Sequence, residues 1–229
     1  AGTRLAIGHS ARRLAVSRRL KELIDSGELG DISMSESNFC TERGLELNPD
    51  MWRSSAELNP TGVVIQLSIH HIDTFRYLYG PIKNVTAKMK RTFATADVED
   101  SAMIIMEHEN GVLSYTGGGW ACPWAFHMNV HGTKAVAHFR ITGQQWRDPS
   151  KALEPIRLHI DREPLGEKTV LDMPEGDMFR DALEDFATCV REDRNPEVDG
   201  RVAYEDLAVV YAAAESSRAA KTVNVKDFL

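Results

Sequence analysis

The stretch that decides the predicted fold is Asn59-Pro-Thr-Gly-Val-Val-Ile-Gln-Leu-Ser-Ile-His-His-Ile-Asp-Thr-Phe-Arg-Tyr-Leu-Tyr-Gly80. Pro60 and Gly62 mark a helix start, and Gly80-Pro81 mark a helix end. Between these signals the apolar residues recur at helical spacing. We therefore predict one helix that packs an apolar face into the core of the domain.

A polar stripe runs beside that apolar face. Gln66, His70, Asp73 and Tyr77 stand at positions i, i+4, i+7 and i+11, and a regular helix at about 100° per residue places them in one narrow sector. One hypothesis is that this sector carries the chemistry of the protein. The alternative is a surface stripe whose side chains meet water or cap a neighbouring strand.

Shorter elements are predicted on both sides of this helix. Before it we predict a strand, a helix that stops at a glycine, and a second strand, in the ranges 1–8, 13–27 and 32–39. After it, short β-rich segments are separated by turn residues, in the ranges 85–95, 100–107, 111–115, 125–130, 135–139, 156–160 and 169–173. Two helices and a last short strand close the chain, in the ranges 177–192, 204–220 and 223–225.

This order of elements predicts an α+β domain. Strands that are joined by short hairpin turns form an open, mostly antiparallel sheet, and the helices gather on one face of it. If the opposite face is bare, it needs a partner to cover it. We predict a homodimer, or a higher homo-oligomer, that forms through the sheet.

The composition excludes several classes of function. The chain has 229 residues, 42% of them hydrophobic, and a formal net charge of -7, and it contains no basic run typical of nucleic-acid binding. No apolar segment is long enough to span a membrane, and no signal peptide opens the chain. The three cysteines lie far apart, which indicates a reducing compartment. We therefore expect a cytoplasmic protein that binds neither nucleic acid nor membranes.

The common ligand motifs are missing or incomplete. Neither a Gly-x-Gly-x-x-Gly nor a P-loop motif occurs, and Gly117-Gly118-Gly119 is interpreted as a bulge or a close backbone approach. His127 and His131 have His-x-x-x-His spacing, but Met128 stands where a zincin requires glutamate. A third ligand is not evident, so no metal site is predicted.

A family resemblance is carried by the segments 8–13, 20–32, 52–53, 69–73, 77–80, 98–102, 110–113, 131–134 and 186–223. Through them the sequence resembles the glucose-fructose oxidoreductase, inositol dehydrogenase and rhizopine catabolism (Gfo/Idh/MocA) family, over nearly the whole chain and in the order of the family. It implies that the chain is the second half of such a protein. Residues 1–10 would be a remnant of the last strand of the nicotinamide-binding Rossmann domain, residues 11–30 a connecting helix, and residues 31–229 the substrate-binding and dimerisation domain.

The resemblance also implies roles for individual residues. His70 matches the histidine that exchanges a proton with the substrate, Asp73 matches an acidic position that binds substrate or fixes the helix, and Trp52, Arg53 and Tyr77 would face the substrate. The family often has aspartate four residues before the histidine, where this chain has Gln66. An amide can orient an imidazole but cannot stabilise its cation as a carboxylate does, so this departure suggests a subgroup with its own substrate.

Two functions from different classes follow from the resemblance. The first is an oxidoreductase that uses NAD or NADP and acts on a sugar, polyol or cyclic diol. The second is a non-catalytic protein of the same fold that senses a dinucleotide or a sugar in regulation or assembly. Because the chain contains no phosphate-binding loop, we expect it to be inactive by itself.

Overall fold

A computed structural model of the chain describes residues 3–162 and 166–229. It confirms the α+β fold. The strands are β1 (Ile32–Cys40), β2 (Ile82–Lys90), β3 (Ser101–His108), β4 (Leu113–Gly119), β5 (Ala125–Gly132), β6 (Val136–Ile141), β7 (Arg157–Arg162), β8 (Glu167–Asp172) and β9 (Val223–Asn224). The α-helices are α1 (Ala15–Asp25), α2 (Ile69–Tyr79), α3 (Gly143–Arg147), α4 (Met178–Arg191) and α5 (Gly200–Ala219).

The strands form one sheet in the order β8-β7-β6-β5-β1-β4-β3-β2-β9. Every neighbouring pair is antiparallel except β1 and β4, which are parallel. The mostly antiparallel sheet is thus confirmed. The insertion of the early strand β1 between two later strands is a long-range feature that hairpin signals do not indicate.

The two faces of the sheet differ in what covers them. Helices α2 and α5 pack on one face, over β1, β4 and β2, and the alternating residues Ala102, Ile104 and Met106 of β3 are buried there. The buried apolar residues form one continuous core. The opposite face exposes Met103 and Ile105 of the same strand, because successive strand residues point to opposite faces.

The first strand was predicted wrongly. Residues 3–9 form no strand, and the Ile7 amide instead donates a hydrogen bond of 2.9 Å to the Val198 carbonyl. A strand requires a paired neighbour, and none of the described strands lies beside this segment. Ala1 and Gly2 lie outside the described residues.

The next helix is shorter than predicted. A 3-10 turn over Ser10–Arg13 precedes α1, which is followed by Gly27 at φ 72°. Helix α3 was not predicted at all, although Thr142 and Gln145 form a capping box at its start. That pair of residues is the sequence signal by which α3 could have been found.

Candidate functional site

The predicted central helix exists, but it does not begin as a regular α-helix. Residues Val64–Ser68 form a π-helical turn that continues directly into α2, and Gly80 at φ 84° follows its end. A Cβ atom at Gly118 of β4 would lie 2.5 Å from the Ser68 Oγ atom. Because Gly118 has no side chain, the π-helical turn can lie directly on the sheet. This is the kind of close backbone approach that was predicted for Gly117–Gly119.

His70 is the first polar residue of α2 and lies half-buried against aromatic rings. Its ring centroid is 5.4 Å from that of Trp146, 5.9 Å from that of Phe39 and 6.3 Å from that of His9. Its Nδ1 atom is buried without a hydrogen-bond partner among the described residues. An unpartnered imidazole nitrogen in an aromatic setting is typical of a binding or proton-transfer site.

Burial lowers the pKa of His70 to about 4 because it penalises the charged form. The neighbouring His9 lowers this pKa further, and Asp73 opposes the effect. The imidazole of His70 is therefore neutral at neutral pH. A neutral imidazole can accept a proton from a substrate hydroxyl.

The adjacent His71 points the other way, into the core. Its ring lies 4.5 Å from the ring of Phe126, and its Nδ1 atom is 3.5 Å from the Thr116 hydroxyl. Burial lowers the pKa of His71 to about 3. Of the two histidines, His70 is the one whose ring faces the aromatic pocket beside Trp146.

The structure does not join Gln66 to His70. The Arg53 Nε–H donates to Gln66 Oε1 at 3.4 Å, and the Gln66 amide donates to Asn59 Oδ1 at 3.1 Å. The expected i, i+4 alignment assumed a regular α-helix, and the π-helical turn that contains Gln66 changes the angular spacing before His70. Gln66 therefore orients Arg53 rather than the imidazole.

Trp52 and Arg53 lie near Gln66 at the start of the helical segment. The Arg53 guanidinium stacks 4.3 Å above the Trp52 ring, which is 47% exposed. These two residues and Gln66 form a polar edge, and its exposed aromatic ring and guanidinium are available to a ligand.

Asp73 and Tyr77 face a different set of residues. Asp73 is fully buried and accepts two hydrogen bonds from the Arg12 guanidinium, at 2.8 Å and 2.5 Å. The guanidinium groups of Arg12 and Arg18 lie 5.4 Å and 4.9 Å from the centre of the Tyr77 ring. Tyr77 is seven residues beyond His70, which corresponds to about 10 Å along a helix. The four residues of the predicted stripe thus do not form one compact site.

Asp73 belongs to a buried ionic cluster that sequence reasoning missed. Its members come from three segments: His9 and Arg12 near the start, Asp73 and Arg76 on α2, and Asp206 on α5. Arg76 donates to Asp206 Oδ1 at 2.5 Å and also contacts Glu205. Since these residues are up to about 200 positions apart in the sequence, no local motif could indicate the cluster.

The buried cluster also contains a possible set of metal ligands. One atom each from His9, Asp73 and Asp206 lies within 4.8 Å of the other two. The guanidinium groups of Arg12 and Arg76 already bind the two carboxylates. Two fixed positive charges at the same oxygens oppose the binding of a cation, so this cluster does not fit a metal ion.

A wide cleft lies elsewhere in the described chain. Its volume is about 1,030 Å³, and Arg13, Arg18 and Met178 line it together with most of the segment 149–156. Neither His70 nor the polar edge is part of its lining. The candidate site is therefore defined by the chemistry around His70 and not by the size of a cavity.

The described chain thus combines an open, mostly antiparallel sheet with a helix that carries the neutral His70 beside aromatic rings. The chain belongs to the GFO/IDH/MocA family, because the family model of the GFO/IDH/MocA C-terminal domain matches residues 17–138. The NADP-dependent D-xylose 1-dehydrogenase of Haloarcula marismortui is 28% identical over 91% of this chain and 56% of its own length.

Two further relatives extend the comparison. The 1-carboxy-3-chloro-3,4-dihydroxycyclohexa-1,5-diene dehydrogenase of Comamonas testosteroni is 30% identical over 70% of this chain and 38% of its own length. The crystal structure of a proposed NADPH-dependent oxidoreductase from Desulfitobacterium hafniense superposes with a TM-score of 0.93 at 31% identity, over 99% of this chain and 66% of that one. The chain thus spans about half the length of the curated relatives that it matches.

None of the described helices combines the length and the apolar character that crossing a bilayer requires.

Proposed function

We propose that this chain is the substrate-binding and dimerisation part of an NAD(P)-dependent oxidoreductase that acts on a sugar, a polyol or a cyclic diol. The observation that carries the proposal is the neutral, half-buried imidazole of His70 at the start of α2. Hydride chemistry would be supplied by a bound nicotinamide, and the residues of this chain would handle the proton. His70 takes the proton of the substrate hydroxyl in oxidation and returns it to the carbonyl oxygen in reduction.

The surroundings of His70 fit a hydroxylated ring. Phe39 and Trp146 provide apolar surfaces beside the imidazole, and binding pockets for small molecules combine such surfaces with a few polar groups. Gln66, Arg53 and Trp52 would supply the polar groups at the other end of the substrate. Tyr77 and Asp73 instead hold α2 in place through Arg12, so we propose that Asp73 has a structural role.

The names of the relatives support the substrate class. One relative is a D-xylose dehydrogenase and the other is a dehydrogenase of a dihydroxylated ring, and both substrates carry neighbouring hydroxyl groups on a small carbon skeleton. We propose the same class for this protein. The D-xylose enzyme is NADP-dependent. For this protein we propose a nicotinamide dinucleotide, NAD or NADP, that is bound mainly by residues outside this chain.

The exposed face of the sheet supports a homodimer. Met34, Met103, Ile105 and Leu113 are 43–64% exposed on the neighbouring strands β1, β3 and β4, and a contiguous apolar patch of this kind is typical of an interface. We propose that two copies pair through this face in the cytoplasm. Ile105→Glu should then shift the mass in solution, measured by light scattering, from dimer to monomer. The matched control Leu153→Glu, at a fully exposed loop residue, should leave the mass unchanged.

The experiment that tests the catalytic proposal is His70→Ala in the full-length protein. Hydride transfer to or from NAD and NADP would be followed at 340 nm with a panel of pentoses, hexoses, polyols and cyclic diols. We expect kcat to fall by about 10² to 10⁴, the usual contribution of a general base. The matched control is His159→Ala, which removes a half-buried histidine of β7 that stacks on His138 and should retain turnover.

The alternative function is a non-catalytic sensor of the same fold. Gln66 motivates this alternative, because His70 lacks a carboxylate four residues earlier. If neither the natural protein nor His70→Ala turns over any member of the panel, while the protein still binds a dinucleotide in calorimetry, the sensor function replaces the enzyme.

A further inference from the structure

Two buried atoms that have no hydrogen-bond partner among the described residues belong to neighbours of His9. One is Nδ1 of His70, and the other is Oδ2 of Asp206. Asp206 is fully buried, and only 7% of His9 is exposed. A buried unpartnered acceptor is costly and therefore rare. Two of them in groups next to one imidazole suggest that protons pass between them.

The distances support a chain of three groups. The ring of His9 stands edge-on to that of His70, with 6.3 Å between the ring centroids. On the other side, His9 Nε2 lies 3.4 Å from Asp206 Oδ2 without an aligned hydrogen bond. Asp73 and Asp206 contribute oxygens within 4.8 Å of each other. The contact to Asp206 is direct, whereas exchange with His70 needs a ring rotation or one bridging water.

The charges around Asp206 favour a shared proton. The groups that face it are His9 and Arg12 from the N-terminal segment, Asp73 and Arg76 from α2, and its own neighbour Glu205 on α5. Arg12 pairs with Asp73, and Arg76 is shared between Glu205 and Asp206. The two guanidinium groups thus face three carboxyl groups, and a proton on Asp206 balances the charges.

The pKa of Asp206 agrees with this balance. Burial raises it to about 7, the charge of Asp73 adds to the increase, and Arg76 opposes it. Asp206 therefore gains and loses its proton near neutral pH, beside the charge of Asp73. In the same surroundings burial lowers the pKa of His9, so its imidazole is neutral and can accept a proton.

We propose that His9 relays protons between His70 and Asp206, and that His9 and Asp206 are thereby positioning residues for the reaction of His70. In reduction, Asp206 gives its proton to Nε2 of His9, His9 gives the proton on its Nδ1 atom to Nδ1 of His70, and His70 gives the proton on its Nε2 atom to the substrate carbonyl oxygen. In oxidation each transfer runs in reverse, and a proton ends on the ionised Asp206. Each imidazole gains one proton and loses one, so the proton that Asp206 loses equals the proton that the substrate gains. This inference rests on the proposed function only for the role of His70.

The test uses His9→Gln and Asp206→Asn in the full-length protein. Both replacements keep a polar side chain of similar size but cannot carry a proton at neutral pH. With a substrate of the natural protein, we expect His9→Gln to lower kcat at least tenfold while KM changes less than twofold. We expect Asp206→Asn to remove the step near pH 7 from the pH profile of kcat. Asp185→Asn, which removes an ionised partner of Arg13 outside the cluster, is the control and should keep the natural profile.

A second measurement does not depend on turnover. Aspartate labelled with ¹³C at the side-chain carboxyl carbon gives one NMR signal per residue, and the signal lost in Asp206→Asn is that of Asp206. We expect this signal to titrate near pH 7 in the natural protein, and we expect His9→Gln to shift its midpoint by at least half a pH unit.

The outcomes separate the two proposals. An Asp206 signal that titrates below pH 5, or a His9→Gln protein with unchanged kcat and pH profile, overturns the relay while leaving the role of His70 intact. If either result were found together with a loss of turnover in His70→Ala, the proposed function would still be supported. A natural protein without turnover refutes the proposed function, and the NMR titration then still decides whether His9 and Asp206 share a proton. If His9→Gln does not fold, Asp206→Asn and the NMR titration of the natural protein decide alone.

Discussion

Replacement of Asp73 by alanine should destabilise the fold strongly. Arg12 is 6% exposed, and its two hydrogen bonds to the Asp73 carboxylate, at 2.8 Å and 2.5 Å, are buried. When one partner of a buried ion pair is removed, the remaining charge is left uncompensated, and the free energy of unfolding falls by about 3 to 5 kcal/mol.

A nearby group reduces this loss. Asp206 keeps its proton partly because of the charge of Asp73, so it would ionise more readily when Asp73 is absent and would compensate part of the charge on Arg12. We therefore expect the lower end of the range, a loss of about 3 kcal/mol at pH 7. At pH 5, where Asp206 remains protonated more often, the loss should be larger.

The assay is urea unfolding of the chain, followed by circular dichroism and tryptophan fluorescence. A lower midpoint with an unchanged slope would show that stability changed and that the unfolded state did not. The double variant Arg12→Met with Asp73→Leu should recover most of the loss, since apolar residues of similar volume can replace a buried ion pair. Arg19→Ala is the control, because Arg19 and Glu22 form a surface pair on α1, and it should change the stability by less than about 1 kcal/mol.

Two results would refute this reasoning. One is a loss below about 1 kcal/mol in Asp73→Ala, which is the range of a solvent-exposed pair. The other is a double variant that is no more stable than the single one, because the cost would then come from packing rather than from an unpaired charge.

Three further predictions concern stability. Burial lowers the pKa values of His70, His71 and His108 to about 4, 3 and 4, so below pH 6.5 the unfolded chain binds protons that the folded chain does not bind. The free energy of unfolding is therefore highest above pH 6.5 and should fall by about 1.4 kcal/mol per histidine and pH unit down to pH 4. Urea midpoints that stay constant from pH 7 to pH 4.5 would contradict this. The raised pKa of Asp206 has the opposite effect on stability, because the ionised carboxylate is unfavourable in the fold and the natural protein loses stability as the pH rises from 5 to 8. Asp206→Asn should therefore gain stability relative to the natural protein over this range. A difference in urea midpoint that does not grow with pH would exclude the raised pKa. Gly62 has a φ of 48°, and Gly62→Ala would place a Cβ atom 2.2 Å from the Glu99 carbonyl oxygen. Gly111 also has a positive φ but no atom within 4 Å of the added Cβ, so Gly111→Ala should cost only the backbone strain of about 1 to 2 kcal/mol and should lower the melting temperature far less. Equal melting temperatures would show that the segment around Gly62 moves freely.

The sequence by itself determined the local elements and the family. The central helical segment lies between Pro60 and Gly62 on one side and Gly80 on the other. Proline restricts the backbone and glycine releases it wherever they occur in a sequence. Short runs rich in β-forming residues, separated by turn residues, indicated the strands from β2 to β8. These signals act between residues that are near in sequence, so they can be read without a structure.

The tertiary structure alone decided how the site is arranged. The π-helical turn moved Gln66 away from His70 and toward Arg53, and the parallel pairing of β1 with β4 brought Phe39 to the imidazole. Arg12 and Asp206 meet Asp73 only after folding has joined three segments. The pKa of a buried group is set by burial and by charges that lie close in space, and neither is encoded in the spacing of residues along the chain.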